Sequence, residues 1–330
     1  MTSILPLEQR GCFIGGLAKS GSTLLLALLD NHPELLVLPA ETEYFPTVLK
    51  KYGPRGRRAQ FDYITQQSRM RSLFGAPAKP GHHDYVGFPK QEFLKVFETK
   101  VFGPATADRD LLLLMIESYA AVLSIPLERV KRWVEKTPAN RSYIPQILRH
   151  FPGAKIILTM RDPRAILAAQ LALKRKRPER RFSAYYMLAH WREIADLTLR
   201  AQRRELVAFT VQYEKLAIDA AAEMKKVCDF LEITFTPTML QPTRGGVPWK
   251  GNSASATDFS DVSSEPVDRW QGQLSQDQIG WVEWHCRDIM PQFGYEPRLG
   301  HRSLRHWVKP IVGEGFSEYL RSRFKSLRGS

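Results

Sequence analysis

Between Gly15 and His32 the chain reads GGLAKSGSTLLLALLDNH. Glycines at 15, 16 and 21 let backbone N–H groups approach an anion, and Ser22 opens an apolar helix whose first N–H groups and dipole favour negative charge. Lys19, Ser22 and Thr23 add side-chain donors. Together these residues have the chemistry of a phosphate site. The run from Gly16 to Thr23 fits G-x-x-x-x-G-K-[ST] except that Ser22 stands where the lysine belongs and the lysine lies three residues earlier, at Lys19. In phosphate-loop kinases that lysine and a magnesium ion offset the charge of the β- and γ-phosphates. An uncharged Ser22, with no apolar run ending in a metal-holding aspartate, predicts a loop for one phosphate, with Lys19 reaching toward whatever is attached to it.

Other segments carry candidate chemistry. KIILTM (155–160) is the clearest strand in the chain, and it feeds into RDPR, placing Arg161 at a strand end. PAETEYF leaves an apolar run about a helix length after the glycine loop and offers Glu41 and Glu43 as candidate proton acceptors. EKTP puts Lys136 before Pro138 in a loop close in sequence to Arg161, YEKL puts Tyr213 at another strand end, and WKGNS (249–253) lies in a long loop.

These residues need a scaffold, and the patterning supplies one. CFIGG (12–16) reads as a buried strand, TLLLALL (23–29) as a helix too apolar for a surface and suited to packing on a sheet, and ELLVLPAETEYF (34–45) as a second strand running into a loop. Helices are expected over 109–124, after RDPR, over 182–204, over 214–233 and over 275–295, with a further strand at 206–213. Strands alternating with helices predict an α/β fold of three layers, a central and mainly parallel sheet flanked by helices, of the P-loop NTPase-like kind. Residues 50–105 read as a basic insertion with a short helix near 90–99, and 234–267 as a long loop of the kind that often carries function. The expected organisation is one domain over 1–300 and a basic tail over 301–330.

Taken in order, KSGSTLL, LLDNHPEL, EKTP, FPGAKIILTMRDPRAILAA, YEKL, WKGNS and a later tryptophan before LS resemble the sulfotransferase family that uses 3′-phosphoadenosine 5′-phosphosulfate (PAPS), over about residues 12–295. The resemblance implies roles. The loop Lys19, Ser20, Gly21, Ser22, Thr23 would hold the 5′-phosphate bearing the sulfuryl group, and Arg161 the 3′-phosphate. The family motif has a serine eight residues after that arginine; here it is Ala169, which removes one hydrogen bond to a charged group, worth about 1.5–3 kcal/mol. Nearby Lys174 and Arg175 would compensate electrostatically. Glu41 matches the glutamate general base of the glycan and protein-tyrosine branches, with Glu43 as second choice, and Lys136 would face the transferring group. Tyr213 would contact the nucleotide, and Lys250, Gly251, Asn252 and Ser253 would close over it, with Arg244 in support. The implied reaction moves the sulfuryl group from PAPS to an acceptor hydroxyl or amine, on a carbohydrate, glycolipid or similar molecule, and needs no metal.

Composition bounds the alternatives. At 330 residues with 43% hydrophobic and 25% charged residues the chain can bury a full core. No apolar run approaches the ~20 residues of a membrane span and the N-terminus lacks a signal-like pattern, which leads to an expectation of a cytoplasmic protein. Cys12, Cys228 and Cys286 are widely spaced and fit a reducing compartment without disulfides or zinc, and His82-His83-Asp84 reads as loop surface. The net charge of +14, with runs at 50–58, 174–181 and in the tail, draws anions. A magnesium-dependent small-molecule kinase is the alternative enzyme, and a nucleic-acid or membrane binder the alternative without chemistry. Nucleic acid is not the expected partner, whereas peripheral membrane contact by the tail is an open possibility.

Overall fold

The computed structural model describes residues 5–78, 83–106, 108–249, 251 and 267–299. Five parallel strands form the central sheet in the order β2-β3-β1-β4-β5: β1 (Gly11–Gly15), β2 (Leu35–Val37), β3 (Arg132–Lys136), β4 (Lys155–Met160) and β5 (Ala208–Gln212). Between and after them lie α1 (Ser22–Leu29), α2 (Arg57–Asp62), α3 (Lys90–Phe102), α4 (Leu111–Val122), α5 (Ile144–His150), α6 (Pro163–Lys176), α7 (Ala184–Gln202), α8 (Tyr213–Ile218), α9 (Ala220–Leu231) and α10 (Gln276–Cys286). The sheet is buried on both faces, as a parallel sheet with helical crossovers must be.

Side-chain alternation sorts the strands onto two layers. Cys12 and Ile14 of β1, Val134 of β3 and Ile157 of β4 pack with Leu25 and Leu28 of α1 and with Met224 and Val227 of α9. Phe13, Trp133, Ile156 and Leu158 point the other way, onto α4, α5 and the aromatic side chains of residues 44–102. A further cluster joins Met160 to α6, α7 and α10. The register sets Ile14 beside Lys136 and Gly15 beside Leu158, so the C-terminal ends of β1, β3 and β4 reach one edge together. Ligand-binding residues collect at that edge in sheets of this class.

The three-layer α/β expectation holds, and the β4 bounds are those read from KIILTM. Four local readings change. The strand β3 was not legible, because Arg132, Glu135 and Lys136 interrupt its apolar run; in the fold all three charges are buried with partners. The expected helix over 214–233 is two helices, since Asp219 leaves the helical region at φ −140° and caps α9 through the Ala222 N–H. The helix expected over 275–295 stops at Cys286, and a short turn Met290–Phe293 containing Pro291 follows.

Residues 50–105 are more helical than their composition suggested. A π-helical segment Tyr44–Tyr52, α2, a second π-helical segment Tyr63–Gln67, a turn Arg71–Phe74 and α3 are joined by aromatic stacking. Tyr52 stacks on Tyr63 at 4.6 Å and Phe74 on Phe93 at 4.5 Å between centroids. Within the long loop, β6 (Thr243–Arg244) and β7 (Val247–Pro248) form a hairpin. Asp30, following α1, anchors it by accepting from Thr243 Oγ1 at 2.8 Å and the Gly246 N–H at 2.9 Å. No helix among the described residues is long and apolar enough to cross a membrane.

Candidate active site

The loop between β1 and α1 has its peptides turned by groups outside it. The Gly16 carbonyl accepts from Arg141 Nη1 at 2.8 Å, the Ala18 carbonyl from Gln170 Nε2 at 3.0 Å, and the Lys19 carbonyl from Arg161 Nη1 at 3.2 Å. The Leu17 carbonyl is taken within the loop by Ser20, whose Oγ lies 2.7 Å away and whose N–H lies at 3.1 Å. With successive carbonyls committed, the loop can present N–H groups to an anion. Gly21, at φ +92°, caps α1 without a side chain, leaving the first-turn N–H groups without an N-cap acceptor. A Cβ there would lie 2.6 Å from Tyr213 Cδ2, and one at Gly16 would lie 2.1 Å from Thr159 Oγ1. The donor set and the space kept open by these glycines fit a phosphate group. Ser20 serves the loop itself, because its hydroxyl also contacts Thr159 Oγ1 at 2.6 Å.

Cations surround this cradle. Burial first, and then the charges of Arg180, Arg161, Arg177 and Lys176, push the Lys19 ammonium below its ordinary pKa. Arg161 lies over the Tyr213 ring at 4.1 Å, and that ring covers Gly21, so the two candidate nucleotide residues form one stack against the loop. Asp162 caps α6 and pairs with Arg164 at 2.7 Å, leaving Arg161 to the loop. Ala169 lies on α6 next to Gln170. Lys174 and Arg175 were the expected compensation for the missing serine. Lys174 ties down the following turn through the Pro178 and Arg180 carbonyls, and the charges felt by Lys19 besides Arg161 are those of Arg180, Arg177 and Lys176.

On the other side of the loop stands a carboxylate corner. Lys136, at the end of β3, donates to Glu41 Oε1 at 2.6 Å and lies 3.4 Å from Thr23 Oγ1, linking the candidate base to the first turn of α1. Arg69 meets Glu41 Oε2 at 3.1 Å and Glu43 Oε1 at 3.4 Å. Glu43 also takes the Tyr63 hydroxyl at 2.5 Å and has a left-handed backbone at φ +52°. Beneath the corner, Glu135 is fully buried and accepts from the Thr42 N–H and hydroxyl, from Thr137 Oγ1 and from Asn140 Nδ2. Burial holds its pKa above the ordinary carboxylate value although these donors pull it the other way.

The fold therefore brings together Lys19, Gly21, Ser22, Thr23, Glu41, Lys136, Arg161 and Tyr213 around the C-terminal edge of the sheet. Lys250, Asn252 and Ser253 lie outside the described residues. Gly251 has φ +89°, and Arg244 donates to the Pro39 carbonyl at 3.0 Å and lies over Tyr85, so its guanidinium serves the hairpin. Residues absent from the sequence reading are Arg141, Gln170, Thr159 and Glu135, which hold the loop and corner, and Arg69, which reaches the carboxylates from the segment between Tyr63–Gln67 and Arg71–Phe74.

A model of the sulfotransferase family matches residues 12–237, and the chain belongs to that family. It is similar to protein-tyrosine sulfotransferase 2 of Gallus gallus, with 24% identity over 324 residues, covering 95% of this chain and 76% of that one. It is also similar to the protein-tyrosine sulfotransferase of Drosophila melanogaster, with 23% identity over 298 residues, 86% of this chain and 51% of that one. Among solved structures, the sulfotransferase domain from the curacin biosynthetic pathway superposes with a TM-score of 0.52 at 19% identity, covering 90% of this chain and all of that one (100%). The sulfotransferase domain of the Synechococcus PCC 7002 olefin synthase gives 0.51 at 18% identity, with 87% and 95% covered. The solved structures attest the shared fold, and the family match establishes a transferase of sulfuryl groups.

Proposed function

We propose that this chain transfers the sulfuryl group of PAPS to an acceptor hydroxyl, with Glu41 as general base. The observation that carries this reading is the short path Glu41–Lys136–Thr23, 2.6 Å and then 3.4 Å, which joins a carboxylate to the phosphate loop through one cation. When bound, PAPS would supply an activated sulfuryl group on its 5′-phosphate. Lys19 and the N–H groups at the start of α1 would hold that phosphate and stabilise its charge as the bond breaks. Arg161, with Lys176 and Arg177 adding positive potential, would hold the 3′-phosphate. Glu41 would take the proton of the incoming hydroxyl, and Lys136 would hold Glu41 in place while facing the reacting group. An acceptor hydroxyl would share Glu41 with these cations, and Arg69, 44% exposed, is the freer of the two to move aside.

The named relatives act on protein tyrosine, so tyrosine-containing peptides join carbohydrate, glycolipid, phenolic and amine acceptors in the set to test. A magnesium-dependent kinase is disfavoured by Ser22 at the lysine position of the ATP loop. Calorimetric titration with adenosine 3′,5′-bisphosphate against magnesium-ATP separates the two readings: tight binding of the bisphosphate alone supports sulfuryl transfer, and preference for magnesium-ATP overturns it. With labelled PAPS and the best acceptor, Glu41→Gln is expected to lower turnover by about 10²-fold while bisphosphate affinity stays within about twofold. Unchanged turnover in Glu41→Gln removes Glu41 from the role.

A further inference from the structure

The loop after β1 and the turn after β3 meet directly, since the Gly16 N–H donates to the Pro138 carbonyl at 3.0 Å. One guanidinium closes this junction from behind. Arg141 Nη1 donates to the Gly16 carbonyl at 2.8 Å and to the Pro138 carbonyl at 2.9 Å, and its side chain is 7% exposed. Its third contact is ionic: Nε donates to Glu193 Oε2 of α7 at 3.0 Å. Glu193 is itself held by Ser142 Oγ at 2.5 Å and His190 Nδ1 at 2.9 Å. The end of β1 leaves no slack here, for a Cβ on Gly15 would lie 2.7 Å from the Arg141 backbone nitrogen.

Gly16 begins the loop that carries Lys19, and Pro138 follows Lys136 by two residues. The two cations assigned to the reacting group thus sit on backbone segments that one side chain bridges in addition to their direct hydrogen bond. A planar fork with several donors can serve two carbonyls and a carboxylate at once; a lysine ammonium has no such fixed geometry. Burying that charge beside two neutral carbonyls is costly without a counter-ion, and Glu193 supplies one from a helix outside the site.

We propose that Arg141 is a positioning residue for sulfuryl transfer, holding the phosphate loop and the Lys136 turn in one frame, with Glu193 as its anchor. The assignment to transfer rests on the function proposed above; the action on the loop does not. In Arg141→Met the loop would lose the donor that orients its first peptide, and Lys136 the clamp on its turn.

The test compares Arg141→Met, Arg141→Lys and Glu193→Gln with the unsubstituted chain by adenosine 3′,5′-bisphosphate calorimetry and by hydrogen exchange of the peptides covering Gly16–Thr23 and β5. Expected for Arg141→Met are binding weakened about tenfold and faster exchange in the loop but not in β5. Arg141→Lys should recover part of the affinity, and Glu193→Gln should lose a few-fold. With an active acceptor, kcat should fall in Arg141→Met by more than acceptor KM rises. Binding and loop exchange within twofold of the unsubstituted protein in Arg141→Met would overturn the proposal, as would equal acceleration in loop and sheet. Should Arg141→Met fail to fold, Glu193→Gln decides, its substitution lying on a partly exposed helix face; unchanged binding and loop exchange there would again overturn it. If the unsubstituted chain does not bind the bisphosphate, the function proposed above fails, and loop exchange alone still reads the role of Arg141.

Discussion

At the scale of the residue, the informative feature of Lys19 is the company it keeps. Burial and like charges from Arg180, Arg161, Arg177 and Lys176 lower its pKa, an arrangement that resists a bare cation and favours a bound anion. The sign of the pH effect follows. On the proposed function the protonated ammonium is the form that would bind phosphate, so bisphosphate affinity should be full below the lowered pKa and fall as pH rises through it, earlier than an ordinary lysine would titrate. Calorimetry from neutral to alkaline pH measures this, and Lys19→Met should bind more weakly and lose that limb; an unaltered alkaline limb in Lys19→Met would assign it to another group. Lys19, Gly21, Ser22 and Thr23 were legible because a glycine loop and its helix are contiguous. Arg141 and Gln170 were not, because the carbonyls they hold lie 125 and 152 residues away and no local pattern marks such a contact. Glu41 and Lys136 were legible only as separate motifs; the ion pair between them is a product of the fold.

At the scale of the element, the long apolar runs gave β1, β4 and α1, whereas β3 was hidden by the charges it carries. Its Lys136 ends at the sheet edge on Glu41 and its Glu135 lies buried among donors beneath the carboxylate corner, so the run is not uniformly apolar. The helix expected near 90–99 is α3, whereas the segment 44–74 was hidden for another reason: its helical turns are short and irregular, and aromatic packing rather than periodicity holds them. Phe97 is fully buried between Phe61 and Phe74, each ring 5.5 Å from it. Phe97→Ala is expected to cost about 3–5 kcal/mol of stability in chemical denaturation. Because Arg69 hangs from this segment while the phosphate loop does not, the same variant should raise acceptor KM several-fold and leave bisphosphate affinity within about twofold. Equal loss on both sides would show that the segment supports the whole site.

At the scale of the molecule, the charge of +14 and the cation-lined edge act together, drawing anionic ligands in before any specific contact forms. The three cysteines are buried and unpaired, and burial raises each thiol, to about 12 at Cys12, about 11 at Cys228 and about 12 at Cys286, so they serve packing rather than reactivity. The backbone of Lys19 has a further consequence for the stability of the whole chain. At φ +77° it occupies a left-handed conformation that a side-chain-bearing residue adopts at a cost of about 1–2 kcal/mol. Lys19→Gly should therefore be more stable than Lys19→Ala by about 1 kcal/mol in urea denaturation, since both lack the ammonium and only alanine keeps the strain. Equal stabilities would mean that the loop relaxes when the lysine is removed. The loop is in this sense tuned away from the stability maximum of the chain. On the proposed function, a nucleotide at a hundred times its Kd would add about 2.7 kcal/mol to the folded state, more than that cost. If the proposed function holds, lifetime against unfolding and proteolysis should track the supply of nucleotide, so that persistence of the chain reads how full the loop is kept.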